Sequence, residues 1–202
     1  MYTSKSLTKN RRDFTLTMLD EILQYNEAFV ENKQYEKYKT TKFPNKKLVV
    51  LSCMDTRLVE LLPNAMNLKN GDVKIIKNGG AIVSHPFGSI MRSILVAVYE
   101  LNAEEICVVG HRDCGMQSLN SNTILTKAVE RGASKETITT LKHAGIDLHS
   151  WLKGFDTVEE GVKASVSMIQ HHPLLPNGVA VHGLVIDPET GKLERLVDGY
   201  HN

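Results

Sequence analysis

The chain has 202 residues, 42% of them hydrophobic and 23% charged, which is ordinary globular composition and enough length for one substantial core. Its 24 Lys and Arg against 23 Asp and Glu leave a formal net charge of +1, so a generally basic surface is excluded, and with it the simplest case for binding nucleic acid. The longest strictly apolar run, Ile94 to Tyr99, is far short of the ~18–20 residues that cross a bilayer, so no membrane partner is expected.

Met1 to Arg12 carries Lys5, Lys9, Arg11 and Arg12 with no acid and no apolar stretch of signal length, and reads as a basic tail rather than a secretory signal. Phe14 to Asn32 comes next as an amphipathic helix, with Leu16, Leu19, Leu23, Ala28 and Val30 at roughly helical spacing and Asp13 as its cap. Lys33 to Lys47 is a polar connector that turns at Pro44-Asn45. Leu48 to Ser52 is a short continuous apolar strand of the kind buried on both faces, and Val73 to Ile76 and Ile106 to Val109 are two more strands. Pro86 to Leu101 is a helix long enough to cross over a sheet, with Pro86 in its first turn.

Ser118 to Gly145 reads as irregular helix stopped at Gly132 and Gly145, and Thr157 to His171 as a helix ended by Pro173. Gly178 to Ile186 alternates like a strand, and Leu193 to Val197 returns as its hairpin partner after the Asp187–Gly191 turn. The expected fold is therefore α/β: a mostly parallel central sheet flanked by helices, with an N-terminal helical arm and a C-terminal hairpin. The expected division is a tail and arm over residues 1–46 and one α/β domain over 47–202.

Loops after the C-terminal ends of parallel strands make ligand sites. The first strand runs into Cys53-Met54-Asp55-Thr56-Arg57, and the third into Gly110-His111-Arg112-Asp113-Cys114-Gly115. Cys53, His111 and Cys114 offer two thiolates and an imidazole, a donor set suited to Zn²⁺, and three protein ligands leave a fourth position open for chemistry. On spacing alone, three unrelated loop residues are the competing reading. Asp55 and Arg57 on the same turn form a carboxylate–guanidinium pair. The Arg keeps the Asp ionised, able to orient a zinc-bound hydroxide or to swing onto the metal itself. Cys107 lies mid-strand as a buried thiol, and Asp113 tunes the second loop. His182 belongs to the core or an interface, while His171 and His172 face solvent. Three cysteines are too few for a disulfide framework, so reduced thiols and a cytoplasmic location are expected.

The Cys-x-Asp-x-Arg segment followed by Gly-His-x-x-Cys-Gly resembles the β-class carbonic anhydrases, specifically the compact bacterial members. The resemblance extends through Ile75 to Val83 and the Val181 to Leu193 segment, about three quarters of the chain. It implies that Cys53, His111 and Cys114 bind one zinc ion, that Asp55 and Arg57 are the catalytic dyad, and that the Gly115 backbone N–H faces the substrate. It further implies reversible hydration of carbon dioxide to bicarbonate, and assembly with itself as a dimer or larger even-numbered oligomer. Lys77 and Gly79 depart from the family's usual Arg and Ala. A carbon disulfide or carbonyl sulfide hydrolase on the same scaffold, and an inactive zinc-bound bicarbonate-sensing module, are the rival readings. A phosphate-cradling cysteine nucleophile is disfavoured, because only Met54, Asp55 and Thr56 separate Cys53 from Arg57 and one of them is acidic.

Overall fold

The computed structural model describes residues 16–201. These fall into two compact units, one ending at Thr40 and one starting at Thr41. The first holds helix α1 (Met18–Glu31) and a short 3-10 turn, Gln34–Tyr38. α1 starts at a capping box: the Thr17 side chain accepts from the Asp20 N–H, and the Asp20 carboxylate accepts from the Thr17 N–H. The cap expected at Asp13, the helix start at Phe14 and the basic tail all lie outside the described residues.

The second unit is a five-stranded sheet with helices between its strands. Its elements run β1 (Leu48–Cys53), α2 (Leu58–Ala65), β2 (Val73–Asn78), α3 (Ser89–Leu101) and β3 (Glu105–His111). They continue with α4 (Ser121–Glu130), α5 (Lys135–His143), α6 (Leu148–Leu152), α7 (Val158–Gln170), β4 (Ala180–Ile186) and β5 (Leu193–Val197). The strand order is β2-β1-β3-β4-β5. All pairs are parallel except β4 with β5, which is the expected hairpin. The continuous apolar runs become the strands buried on both faces: Val49 to Cys53 in β1 and Ile106 to His111 in β3 are buried throughout. Leu58 and Leu62 of α2, Met91 and Ile94 of α3, and Val162 and Ile169 of α7 complete the core.

Two expectations are corrected. Pro86 is not in the first turn of α3. It sits inside a turn closed by the Gly88 N–H on the His85 carbonyl at 3.0 Å, where its fixed φ suits the second position, and α3 starts after Gly88. His172 is buried, not solvent-facing. One ring nitrogen lies 2.9 Å from the Pro86 carbonyl, the other accepts from the Leu174 N–H at 3.1 Å, and the ring packs edge-on against Phe87. Both polar atoms are satisfied, which removes the cost of burying them.

Candidate metal and catalytic site

β1 and β3 are neighbours whose onward connections leave in opposite directions, to β2 on one side and β4 on the other. That reversal opens a crevice at their C-terminal ends. Cys53 ends β1 and His111 ends β3, so two residues far apart in sequence meet there. Cys114 lies in the turn after β3. The ligand atoms of Cys53, His111 and Cys114 all lie within 4.8 Å of one another, the Cys53 and Cys114 sulfurs 3.9 Å apart, and all three residues are buried.

The geometry fits a soft divalent metal. His111 Nδ1 is 2.8 Å from the Arg112 carbonyl, and a carbonyl can only accept, so Nδ1 carries the proton and Nε2 presents a lone pair. Among the described residues Nε2 has no partner of hydrogen-bond geometry; it is buried and belongs to the same cluster as the two sulfurs. A buried acceptor without a donor is costly unless a ligand fills the gap. Tetrahedral sulfur and nitrogen ligation is what Zn²⁺ takes.

Charge supports the same arrangement. The Cys53 thiol is pulled down to about 4, first by its contact with Cys114, against the cost of burial, and then by His111 and the Gly80 N–H. Cys114 is pushed up by the neighbouring Cys53 and by burial, so without a metal the pair shares one proton. Burial would lower His111, but Cys53 and the Arg112 carbonyl outweigh it and raise it. Cys107, mid-strand in β3, is pushed up to about 12 by burial and is a core thiol, as its position in the sequence suggested.

The turn at Gly79–Ala81 forms one wall of the crevice. The Gly80 N–H points at Cys53 Sγ from 3.3 Å. Gly80 has φ +79°, and a Cβ there would come within 2.9 Å of Phe155 and 3.0 Å of Met116, so only glycine presents this N–H. Asn78 braces the turn through both its amide atoms to Ile82, and the buried Ser165 of α7 bonds the Ala81 carbonyl and the Val83 N–H. Ser165 and the Gly80 donor were not legible in the sequence, because each acts through a backbone group with no residue-type signature.

Asp55 and Arg57 stand beside the cluster. Asp55 Oδ1 accepts from the Arg57 backbone N–H at 2.9 Å and from Nε at 3.0 Å, and Oδ2 accepts from the guanidinium at 2.9 Å. This fork holds the carboxyl down at about 2. Asp55 Oδ2 also lies 3.8 Å from His111 Nε2. Asp113, in the left-handed region at φ +53°, grips the other side of Arg57 with its carboxylate and its carbonyl, each at 3.0 Å. Gly115 has no atom within 4 Å of where a Cβ would sit, so the space beside it is open. His85 Nδ1 accepts from the Phe87 N–H at 3.0 Å. The structure thus brings together Cys53, His111, Cys114 and Asp55, with Arg57 behind Asp55.

Comparison with known proteins gives this constellation a family. The carbonic anhydrase family model matches residues 48–193. The Bacillus subtilis protein "Putative carbonic anhydrase YtiB" is 62% identical over 187 residues, covering 93% of this chain and all of that one. The crystal structure of β-carbonic anhydrase isoform I from Trichomonas vaginalis superposes with a TM-score of 0.84 at 33% identity, covering 92% of this chain and all of that one. A carbon disulfide hydrolase of Acidithiobacillus thiooxidans is 29% identical over 159 residues, 74% of this chain and 76% of the relative. With its five-stranded, mostly parallel sheet and a Cys-His-Cys cluster at the strand ends able to hold a metal, the chain belongs to the β-carbonic anhydrase family.

Proposed function

We propose that this protein is a zinc-dependent carbonic anhydrase that reversibly hydrates carbon dioxide to bicarbonate and a proton. In this reading Cys53, His111 and Cys114 hold one zinc ion per chain, Asp55 and Arg57 are the catalytic pair, and Gly115 faces the substrate. The observation that supports it most is the unpartnered His111 Nε2 beside two cysteine sulfurs, with an ionised Asp55 oxygen 3.8 Å away. A bound zinc ion would supply Lewis acidity, bringing the pKa of a water to about 7.

The chain's own residues do the rest. Asp55 Oδ1 is saturated by two Arg57 donors, whereas Oδ2 takes one and keeps a lone pair. That lone pair accepts a hydrogen bond from the attacking water and turns the water's own lone pair toward the carbon of CO₂. Arg57 spends its donors on Asp55 and Asp113, so it fixes the carboxylate rather than binding substrate. Open space at Gly115 leaves room for a small linear molecule. The working unit is a cytoplasmic, even-numbered homo-oligomer, dimer or larger, with residues 1–46 as tail and arm and 47–202 as the catalytic domain.

The likeness to a carbon disulfide hydrolase favours one second reading, attack on carbon disulfide or carbonyl sulfide by the same residues. Zinc content and stopped-flow CO₂ hydration, measured on one sample at pH 7 and above pH 8.5, test the proposal. One zinc per chain with hydration is the expected result, and in Asp55→Ala hydration falls at least about a hundredfold while zinc stays. Activity confined to the higher pH makes Asp55 a switchable fourth ligand. Zinc with turnover of carbon disulfide alone establishes the second reading, zinc with neither turnover establishes a binding module, and absence of zinc overturns the site.

A further inference from the structure

The His111 imidazole is oriented by a carbonyl, and that carbonyl belongs to the most heavily tethered residue of the loop. Arg112 donates its backbone N–H to the Ile186 carbonyl at 3.0 Å, which carries the β3–β4 ladder one residue past His111. Its guanidinium then bridges two acids from different elements, Glu159 in the first turn of α7 and Glu194 of β5, the latter at 2.8 Å. Lys192 reaches Glu194 at 3.3 Å. The backbone of residue 112 is therefore tied to a neighbouring strand, a helix N-terminus and the C-terminal hairpin at once.

We propose that Arg112 is a positioning residue for the metal centre: its bridge to Glu159 and Glu194 holds the carbonyl that sets the tautomer and the aim of His111. The proposal rests on the zinc-site reading above. The guanidinium is the residue type for this task, since its planar fork meets two carboxylates at once, which a lysine ammonium on a flexible stem does not do in fixed geometry. Partners that orient a metal-bound histidine through its second nitrogen commonly carry a 10- to 100-fold effect on metal affinity. The Arg112 guanidinium is engaged by Glu159 and Glu194 and acts on the centre only through His111, so it is not a catalytic residue.

The test replaces Arg112 by Met and, separately, both acids in Glu159→Gln/Glu194→Gln. Zinc affinity is read by chelator competition, and the Co²⁺-loaded proteins are compared by visible absorption. Expected are at least about tenfold weaker zinc binding and an altered cobalt spectrum in both proteins, with Arg112→Lys in between. Lys47→Met, which breaks the ion pair with Glu104 at the far end of the sheet, leaves both readouts unchanged. If Arg112→Met does not fold, Arg112→Lys and Glu194→Gln alone carry the same comparison. Wild-type affinity and spectrum in the folded variants overturn the positioning role while the zinc site stands. A wild-type protein that binds neither metal overturns both.

Discussion

Arg57 holds the Asp55 carboxyl ionised well below the usual carboxylate range. That carboxyl is held at about 2, below the unfolded value of 3.8, first by the guanidinium hydrogen bonds. A carboxyl lowered on folding contributes stability above its unfolded pKa and loses it as pH falls through the folded one. In metal-free protein, the difference in unfolding free energy between wild type and Asp55→Asn should therefore be constant from pH 7 to 5. Its pH-dependent part should shrink below about pH 4 and be lost as the pH falls through and below about 2. Urea unfolding at stepped pH checks this, and a difference already shrinking between pH 7 and 5 would show that the fork does not protect the carboxylate. Only Thr56 separates the two residues in the sequence, so their pairing was legible there. The part played by Asp113 was legible only as a general influence on its loop. That its carbonyl and carboxylate both close on Arg57 depends on a left-handed backbone and on β1 lying beside β3.

α7 is the element on which the site leans. It starts at a capping box, with the Thr157 side chain accepting from the Glu160 N–H and the Glu160 carboxylate accepting from the Thr157 N–H. It packs on β3 so closely that a Cβ at Gly110 would meet Val158 and Val162 at 2.7 Å each. From the same helix Ser165 holds the turn that faces Cys53. Thr157→Ala is expected to cost about 1 kcal/mol through lost capping. Gly110→Ala is expected to cost about 1–3 kcal/mol, because two branched side chains on a rigid helix must yield. Chemical denaturation measures both, and a Gly110→Ala protein as stable as wild type would mean that the α7–β3 contact is loose. Helices and strands were largely legible from apolar periodicity, since Thr157 to His171 and Leu193 to Val197 need only local pattern. Pro86 was misread because its fixed φ serves a turn as well as a first helical residue, and the backbone of Phe87 and Gly88 settles which of the two forms. His172 was misread because a histidine beside a proline carries no local sign of which carbonyl its ring will meet.

At the scale of the whole molecule, α1 presents Met18, Leu19, Ile22 and Leu23 to solvent, with Leu16 exposed just ahead of it, and it contains no buried residue. In the proposed assembly this apolar face meets a second copy of the chain. The proposed even-numbered assembly predicts a light-scattering mass at an even multiple of the chain mass, reduced in Leu19→Asp/Leu23→Asp. A monomeric wild type would contradict it. Among the described residues no helix is long and apolar enough to cross a membrane. The amino-acid sequence by itself determined the α/β class, the elements of the sheet and the two short segments that converge on the Cys-His-Cys cluster, because apolar period, turn residues and motif spacing are local. Only the tertiary structure decided that Cys53 and Cys114, 61 residues apart, lie 3.9 Å from each other. It alone left His111 Nε2 without a hydrogen-bond partner among the described residues and anchored Arg112 to α7 and β5. Those facts depend on the order of strands in the sheet and on hydrogen bonds to backbone atoms, and no pattern along the chain encodes either.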